Sequence, residues 1–247
     1  LTWEVRNSDC LDPSTGLPSL ADRSVQHFIM DPPFSERVHR RLGNEGRSDG
    51  GKKRDDLAFG HLTDELAHAV AEQACRIATR WILIFCDELS FGVWVEAIQA
   101  AGGEYVRKGT WVKVAPMPQM SGDRPATGTE EIVIAHAPRK SGRMKWNGGG
   151  KPAVYRFNPQ EAMEDRFHPT QKPLSLMEAL VLDFSDHGDL IADPFAGSCA
   201  TGAAALRHGR RFLGWEMNKT YVDAARVRLA GMREQLSLFG GGDGGPA

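Results

Sequence analysis

"DLIADPFAGSCATGAAALRHGRRFLGWEMN", residues 189–218, decides the fold. A short apolar run, DLIA at 189–192, enters a turn of small residues. A helix-compatible stretch follows, then a second apolar run, RFLGW at 211–215, which stops at Glu216. That is strand, tight turn, helix, strand, acid. Gly197, Ser198 and Gly202 let a backbone approach a ligand closely, and a helix N-terminus behind such a turn favours a carboxylate or phosphate. An acid at the end of the following strand, about twenty residues on, is placed to hydrogen-bond ribose hydroxyls. The bland alternative is a tight connection and nothing more. A dinucleotide fingerprint is not satisfied, because Cys199 and Ala200 follow Gly197-Ser198 where G-x-G-x-x-G needs another glycine.

Outward from this unit the same rhythm continues. Further short apolar runs read as strands at 27–30, 81–85 (WILIF) and 131–135 (EIVIA). Helical spacing places Leu66, Val70, Ala74 and Ile77 on one face, as it does Leu174, Met177, Val181 and Phe184, and Val222, Ala225, Leu229, Met232 and Leu236. Strands alternating with helices predict an α/β fold with a largely parallel sheet. Polar, glycine-rich and basic residues at 35–60 read as a mobile loop; 116–129 and 138–165 read as irregular insertion, and loops this long are usually functional.

The 247 residues suit one large domain, and an apolar fraction of 41% with 25% charged residues is ordinary for a globular protein. No apolar run approaches the ~20 residues of a membrane helix. The first ten residues, LTWEVRNSDC, are too polar for a signal peptide, and a start at Leu1 predicts a missing initiator or short leader. Four scattered cysteines without a C-x-x-C pair argue against zinc or disulfides and for a reducing cytoplasm. Net charge is −2, yet residues 35–54 carry +4 and 107–152 carry +6, leaving −12 for the rest. A basic face on an acidic body suits a phosphate-bearing partner, although two solvated loops would give the same numbers.

Two further stretches carry chemistry. In "HFIMDPPFSE", residues 27–36, a buried strand runs into Asp31, Pro32, Pro33 and Phe34. In "FHPTQKP", residues 167–173, His168, Thr170 and Lys172 precede a helix beginning near Pro173, and such groups suit an amino-acid carboxylate.

DPPF, then HPTQKP, then DPFAGSCATG with Glu216 beyond, resembles the DNA amino-methyltransferases that use S-adenosylmethionine. The motif order is that of their circularly permuted β class, and the resemblance runs from about Asn7 to Leu229. It implies a Rossmann-like seven-stranded methyltransferase sheet with one antiparallel strand near 130–136, and a single domain with a small target-recognition insertion at 138–165. It implies S-adenosylmethionine, with no metal, held by Asp9, Cys10, Asp31, His168, Thr170, Lys172, Asp193, Phe195, Ala196, Gly197, Ser198, Cys199, Glu216, Met217 and Asn218. Asp9, in "NSDC", would meet the cofactor's adenine; Cys199 stands where the family often has glycine.

The same resemblance explains the DPPF corner. An exocyclic amine is a poor nucleophile because its lone pair is delocalised into the ring. Hydrogen bonds from it to Asp31 and to the Pro32 carbonyl would make the nitrogen tetrahedral, the prolines would fix that geometry, and Phe34 would stack a flipped base. Asp at the first motif position is the adenine-type pattern. The expected DNA-contacting residues are Arg37, Arg40, Arg41, Lys52, Lys53, Arg54, Arg139, Lys140, Arg143 and Lys145. Alternatives are cytosine N4 in DNA, adenine N6 in RNA, and a catalytically silent nucleic-acid-binding partner. The small insertion points to a homodimer or modest specificity. The tail at 234–247 contains Gln235-Leu236-Ser237-Leu238-Phe239, which resembles the peptide that docks bacterial proteins on the replication sliding clamp. The expected setting is a bacterial or phage-encoded cytoplasmic enzyme.

Overall fold

The structure is a computed structural model that describes residues 2–35, 61–116, 118–162 and 171–239, with the side chains of 161–162 and 233–239 outside the description. The chain runs β1 (Trp3–Asn7), β2 (His27–Met30), α1 (Asp64–Ile77), β3 (Trp81–Cys86), α2 (Phe91–Ala100), β4 (Glu104–Lys113), β5 (Thr129–His136), β6 (Val154–Phe157), α3 (Leu174–Phe184), β7 (Leu190–Asp193), α4 (Ala200–Arg207), β8 (Arg211–Glu216) and α5 (Lys219–Phe239).

One sheet holds all the strands in the order β1-β8-β7-β2-β3-β5-β4-β6. It has eight strands rather than seven, because β6 pairs in parallel with β4 and extends that edge. Among the described residues only β5 is reversed: it pairs antiparallel with both β3 and β4, so the antiparallel strand implied by the resemblance lies where it was expected. Every residue of β2 and β3 is buried, which is why both read as unbroken apolar runs rather than alternating ones.

Helices cover both faces. α3, α4 and α5 pack Leu180, Phe184, Ala203, Val222 and Leu229 on one side. α1 and α2 pack Val70, Ala74, Trp94 and Ile98 on the other. Full burial of such side chains stabilises the fold by roughly 1.5–3 kcal/mol for each large one. Thr63 caps α1 by accepting the Leu66 N–H at 3.2 Å, and a Pro173 start sets α3 going.

The connection from β7 through α4 runs to one side of the sheet and that from β2 through α1 to the other. The strand order therefore reverses between β7 and β2, and in open α/β sheets a crevice for ligands opens there, beyond the strands' carboxyl ends. Asp31 and Asp193 stand at that place.

Candidate active site

The cofactor-type turn is held by its own acids. Asp193 ends β7, buried, and accepts the Phe195 N–H at 3.0 Å and the Thr201 hydroxyl at 2.7 Å. Burial pushes its carboxyl up to about 7, with the nearby Asp31 and Glu216 adding to the rise and those two hydrogen bonds opposing it. Glu216, at the end of β8, accepts the N–H of Gly197 at 3.1 Å and of Asn218 at 2.7 Å. Burial raises its carboxyl too. The elements flanking the turn, α4 and β8, need their glycines. A Cβ on Gly202 would come within 2.7 Å of Phe212, and one on Gly214 within 2.9 Å of Ala196. Cys199 opens α4 at φ 55°, a left-handed conformation that glycine adopts at less cost, so the thiol replaces the usual residue with some strain. Its side chain is fully buried, away from the crevice's solvent. Phe195, Ala196 and Ser198 complete the turn. The Ser198 carbonyl accepts from Arg228 at 3.0 Å.

Asp9 follows β1, beside β8, and accepts the Leu11 N–H at 2.8 Å, with the buried Cys10 between them. Asn7 donates to the carbonyls of Glu216 and Met217 at 3.0 and 2.8 Å, which ties this corner to the cofactor turn. Asp9, Glu216, Asp193 and Asp31 thus stand at the ends of neighbouring strands β1, β8, β7 and β2. With strands ~4.8 Å apart, Asp31 lies about 10 Å along the crevice from Glu216, the span of a nucleoside and its extension.

The DPPF corner is pinned from several sides. Ser35 donates its N–H to Asp87 at 2.8 Å, and the Phe34 carbonyl accepts the Leu62 N–H at 3.0 Å. Pro32 is buried and Phe34 half-buried. Beneath them lies a feature the sequence did not disclose. The Lys172 ammonium, buried, donates to both oxygens of Asp31 at 2.8 Å across 141 residues of chain. It stands 3.0 Å from Glu130, whose other oxygen is 2.8 Å from Lys113. It also sits over the rings of Phe34 and Phe85, 5.2 and 5.0 Å from their centres. Burial raises the Asp31 carboxyl, with Lys172 opposing and Glu130 adding to the rise. For Glu130 burial also pushes upward, but Lys172 and Lys113 outweigh it and hold the group below the usual carboxylate range. The Lys172 ammonium is lowered by burial and raised more by its two carboxylates, so it stays charged.

Lys172 was expected to face an amino-acid carboxylate; its contacts here are Asp31 and Glu130 instead. A lysine two residues before a helix carries no sequence signal for such a pairing, and Glu130 looked like the opening of an ordinary strand. His168 and Thr170 lie outside the described residues, as do Arg37, Arg40, Arg41, Lys52, Lys53 and Arg54. Arg139, Lys140, Arg143 and Lys145 are not brought to this site. They follow the far end of β5, where His136 pairs with Trp81, and six residues of β3 put about 17 Å between that end and the crevice. There Arg139 pairs with Glu104 at 2.9 Å and Lys145 with Asp186 at 2.7 Å. The Lys145 carbonyl accepts from Trp81 at 2.6 Å, and the Trp146 ring meets Phe184 at 4.8 Å. The expected recognition insertion therefore begins as a strap across the opposite edge, and β6 brings the chain back. The β4–β5 connection, with Met120 88% exposed, is the one that sits at the crevice edge. Among the described residues there is no group of three or more His, Cys, Asp or Glu placed to hold a metal, and no helix long and apolar enough to cross a membrane.

With this geometry in hand, the profile of the DNA methylase family matches residues 25–227. This chain belongs to that family. It is 34% identical over 245 residues to the Type II methyltransferase M2.DpnII of Streptococcus pneumoniae, covering 88% of this chain and 87% of the relative. It is 38% identical over 106 residues to the DNA adenine methyltransferase YhdJ of Escherichia coli (strain K12), 42% of this chain and 35% of that one. Its fold is that of the M1.HpyAVI–SAM complex, with a TM-score of 0.68 at 24% identity over 92% of this chain and 99% of the other. The family membership makes it an enzyme acting on DNA, and the sheet a methyltransferase sheet.

Proposed function

We propose that the protein moves a methyl group from S-adenosylmethionine to the N6 amine of an adenine flipped out of DNA. The observation that carries this reading is the Asp31 carboxylate, fixed by prolines and Lys172 at the strand-order reversal next to the Asp193–Glu216 turn. The adenine assignment is supported by the Asp at the head of DPPF and by the adenine specificity in the name of YhdJ.

S-adenosylmethionine supplies a methyl group on a positively charged sulfur. The crevice fits it: a tight turn leading into the start of α4, a carboxylate at the neighbouring strand end for ribose hydroxyls, and a row of acids suited to a cation. Asp9 with Cys10 would meet the adenine ring; Glu216, with Met217 and Asn218 after it, the ribose; and Phe195 to Cys199 the chain that leads to Asp31. Asp31 accepts one hydrogen of the target amine and the Pro32 carbonyl the other, which localises the nitrogen lone pair. The half-buried Phe34 ring stacks the base on the face not taken by Lys172. As the nitrogen becomes cationic, Asp31 is the group in place to take its proton, and its side chain, one-quarter exposed, can pass it to water.

DNA would approach the crevice edge, between the segments rooted at Ser35 and His61, the 114–128 connection and the stretch before Lys172. Cytoplasmic residence follows from DNA as substrate. Dimerisation and clamp docking through 235–239 complete the proposal. The backbone of that pentapeptide continues α5, so clamp docking would require the helix end to unwind. Sedimentation tests the first; binding of purified clamp by the parent and not by a Leu238→Ala, Phe239→Ala variant tests the second.

The central test is transfer of labelled methyl from S-adenosylmethionine to DNA, followed by nucleoside separation. N6-methyldeoxyadenosine is expected, and Asp31→Ala should abolish it while the variant stays folded. Label on cytosine would correct the base; near-normal turnover by Asp31→Ala would sink the mechanism.

A further inference from the structure

Asp31 has a conflict of duties. Methyl transfer, on the function proposed above, needs one of its oxygens to accept the target amine. Yet both oxygens already accept from Lys172 at 2.8 Å. An ammonium has three N–H donors, and two are spent on Asp31. On its other side, 3.0 Å away, stands Glu130 Oε2, buried and without a hydrogen bond of its own; the contact is one of charge, not yet of aligned donor and acceptor. Glu130 is held in place through Oε1 by Lys113 at 2.8 Å. It comes from β5, the reversed strand, which delivers its first residues to the crevice edge rather than the far one.

We propose that Glu130 is a positioning residue for the reaction: it offers the Lys172 ammonium a second seat, so that Lys172 can release one Asp31 oxygen to the incoming amine without being left unpaired. A small rotation of the ammonium toward Glu130 exchanges one hydrogen bond for another within the same buried cluster. Without that seat, freeing the oxygen would strand a buried, charged N–H, which is costly. The carboxylate also adds negative charge next to Asp31. The charged and titratable groups around Asp31 are Lys172 before α3, Glu130 on β5, Lys113 on β4 and Asp193 on β7. Of these, Glu130 is the one that both raises Asp31 and receives its partner.

The test compares the full-length parent with Glu130→Leu, which removes seat and charge, and Glu130→Gln, which keeps an acceptor oxygen and removes the charge. The Asp31–Lys172 pair is untouched in both, and Lys113 is near enough to solvent to find water, so both should fold. Single-turnover methylation of DNA is read across pH beside calorimetric binding of S-adenosylmethionine. Expected are a plateau rate at least tenfold lower for Leu, a smaller loss for Gln, cofactor affinity within about twofold of the parent for both, and an acid limb moved to lower pH in Gln. A merely structural role would not move the limb downward while the plateau falls. Plateau rates within twofold of the parent, an acid limb that stays or moves up, or a rate loss matched by lost cofactor affinity would overturn the inference while leaving the function standing. If Leu fails to fold, Gln alone decides by the same limits. A parent that labels no DNA overturns the function and the inference with it.

Discussion

Replacing Lys172 with methionine keeps the length of the side chain and removes its charge, leaving Asp31 and Glu130 facing each other. At an effective dielectric of ~20, an ammonium about 3 Å from a carboxylate gains roughly 5 kcal/mol, and here it meets two. Most of that sum is offset by the cost of burying the lysine, which the methionine avoids. What remains is the penalty of uncompensated buried charge, about 3–5 kcal/mol for a broken buried pair. For a chain of this size that lowers Tm by roughly 6–20 °C. The pH dependence is the sharper signature. Without Lys172 the folded-state Asp31 is driven further above its unfolded value. Such an acid costs nothing below the unfolded value, where both states are protonated, and costs progressively more as pH rises through the folded one. The deficit of Lys172→Met relative to the parent should therefore be large at pH 8 and shrink at pH 5.5, read by urea denaturation at both. Methylation at pH 7.5 should fall, since Asp31 loses the ammonium that fixes both of its oxygens and is driven further toward the protonated form, which cannot take the proton of the amine. A deficit under about 1 kcal/mol at pH 8, or one no smaller at pH 5.5, would refute the reasoning.

Three other outcomes are expected. Phe34→Ala should weaken capture of the flipped base by ~1–3 kcal/mol, followed with a fluorescent base analogue, while Phe34→Tyr or Trp retain activity; an equally active Ala variant would remove stacking from the mechanism. Neutralising Arg40, Arg41, Lys52, Lys53 and Arg54 should flatten the salt dependence of DNA binding, whereas neutralising Arg139 and Lys145, paired at the far edge, should leave it unchanged; the reverse pattern would turn the DNA face over. Asp193, held up to about 7 by burial, makes the fold less stable as pH climbs from about 4 to 7, so Asp193→Asn should flatten that part of the stability profile. An unaltered profile would mean that the carboxyl titrates normally.

Strands buried on both faces announce themselves, because both faces must be apolar. That is why 27–30, 81–85, 131–135, 189–192 and 211–215 were legible. β1, β4 and β6 were not: β1 and β6 lie at the sheet's edges, and β4 buries only Gly109 and Trp111, with consecutive exposed residues at 106–108 and a bulge between Tyr105 and Arg107, so it shows neither an apolar run nor a clean alternation. The turn, the DPPF corner and Glu216 could be read because each is local, its chemistry written within a few residues. The Lys172–Asp31–Glu130 cluster joins three distant segments, and nothing in the composition around any of them specifies the other two. The place of the strap at 139–147 was hidden for a different reason. Its basic residues are conspicuous in sequence, and only the direction of β5 reveals which edge they reach.

The hydrogen bond from Leu62 to the Phe34 carbonyl brings together the two ends of a long stretch of chain, right beside the DPPF corner. It works as a graft junction. Closing a loop costs only about 0.6 kcal/mol more for each doubling of its length, so this junction can carry inserts of very different size at nearly constant stability. A lineage could exchange everything between Ser35 and His61 while Asp31 and Phe34 keep their places. The inserted segment and the DPPF corner would then evolve on separate clocks, although they share one corner of the sheet.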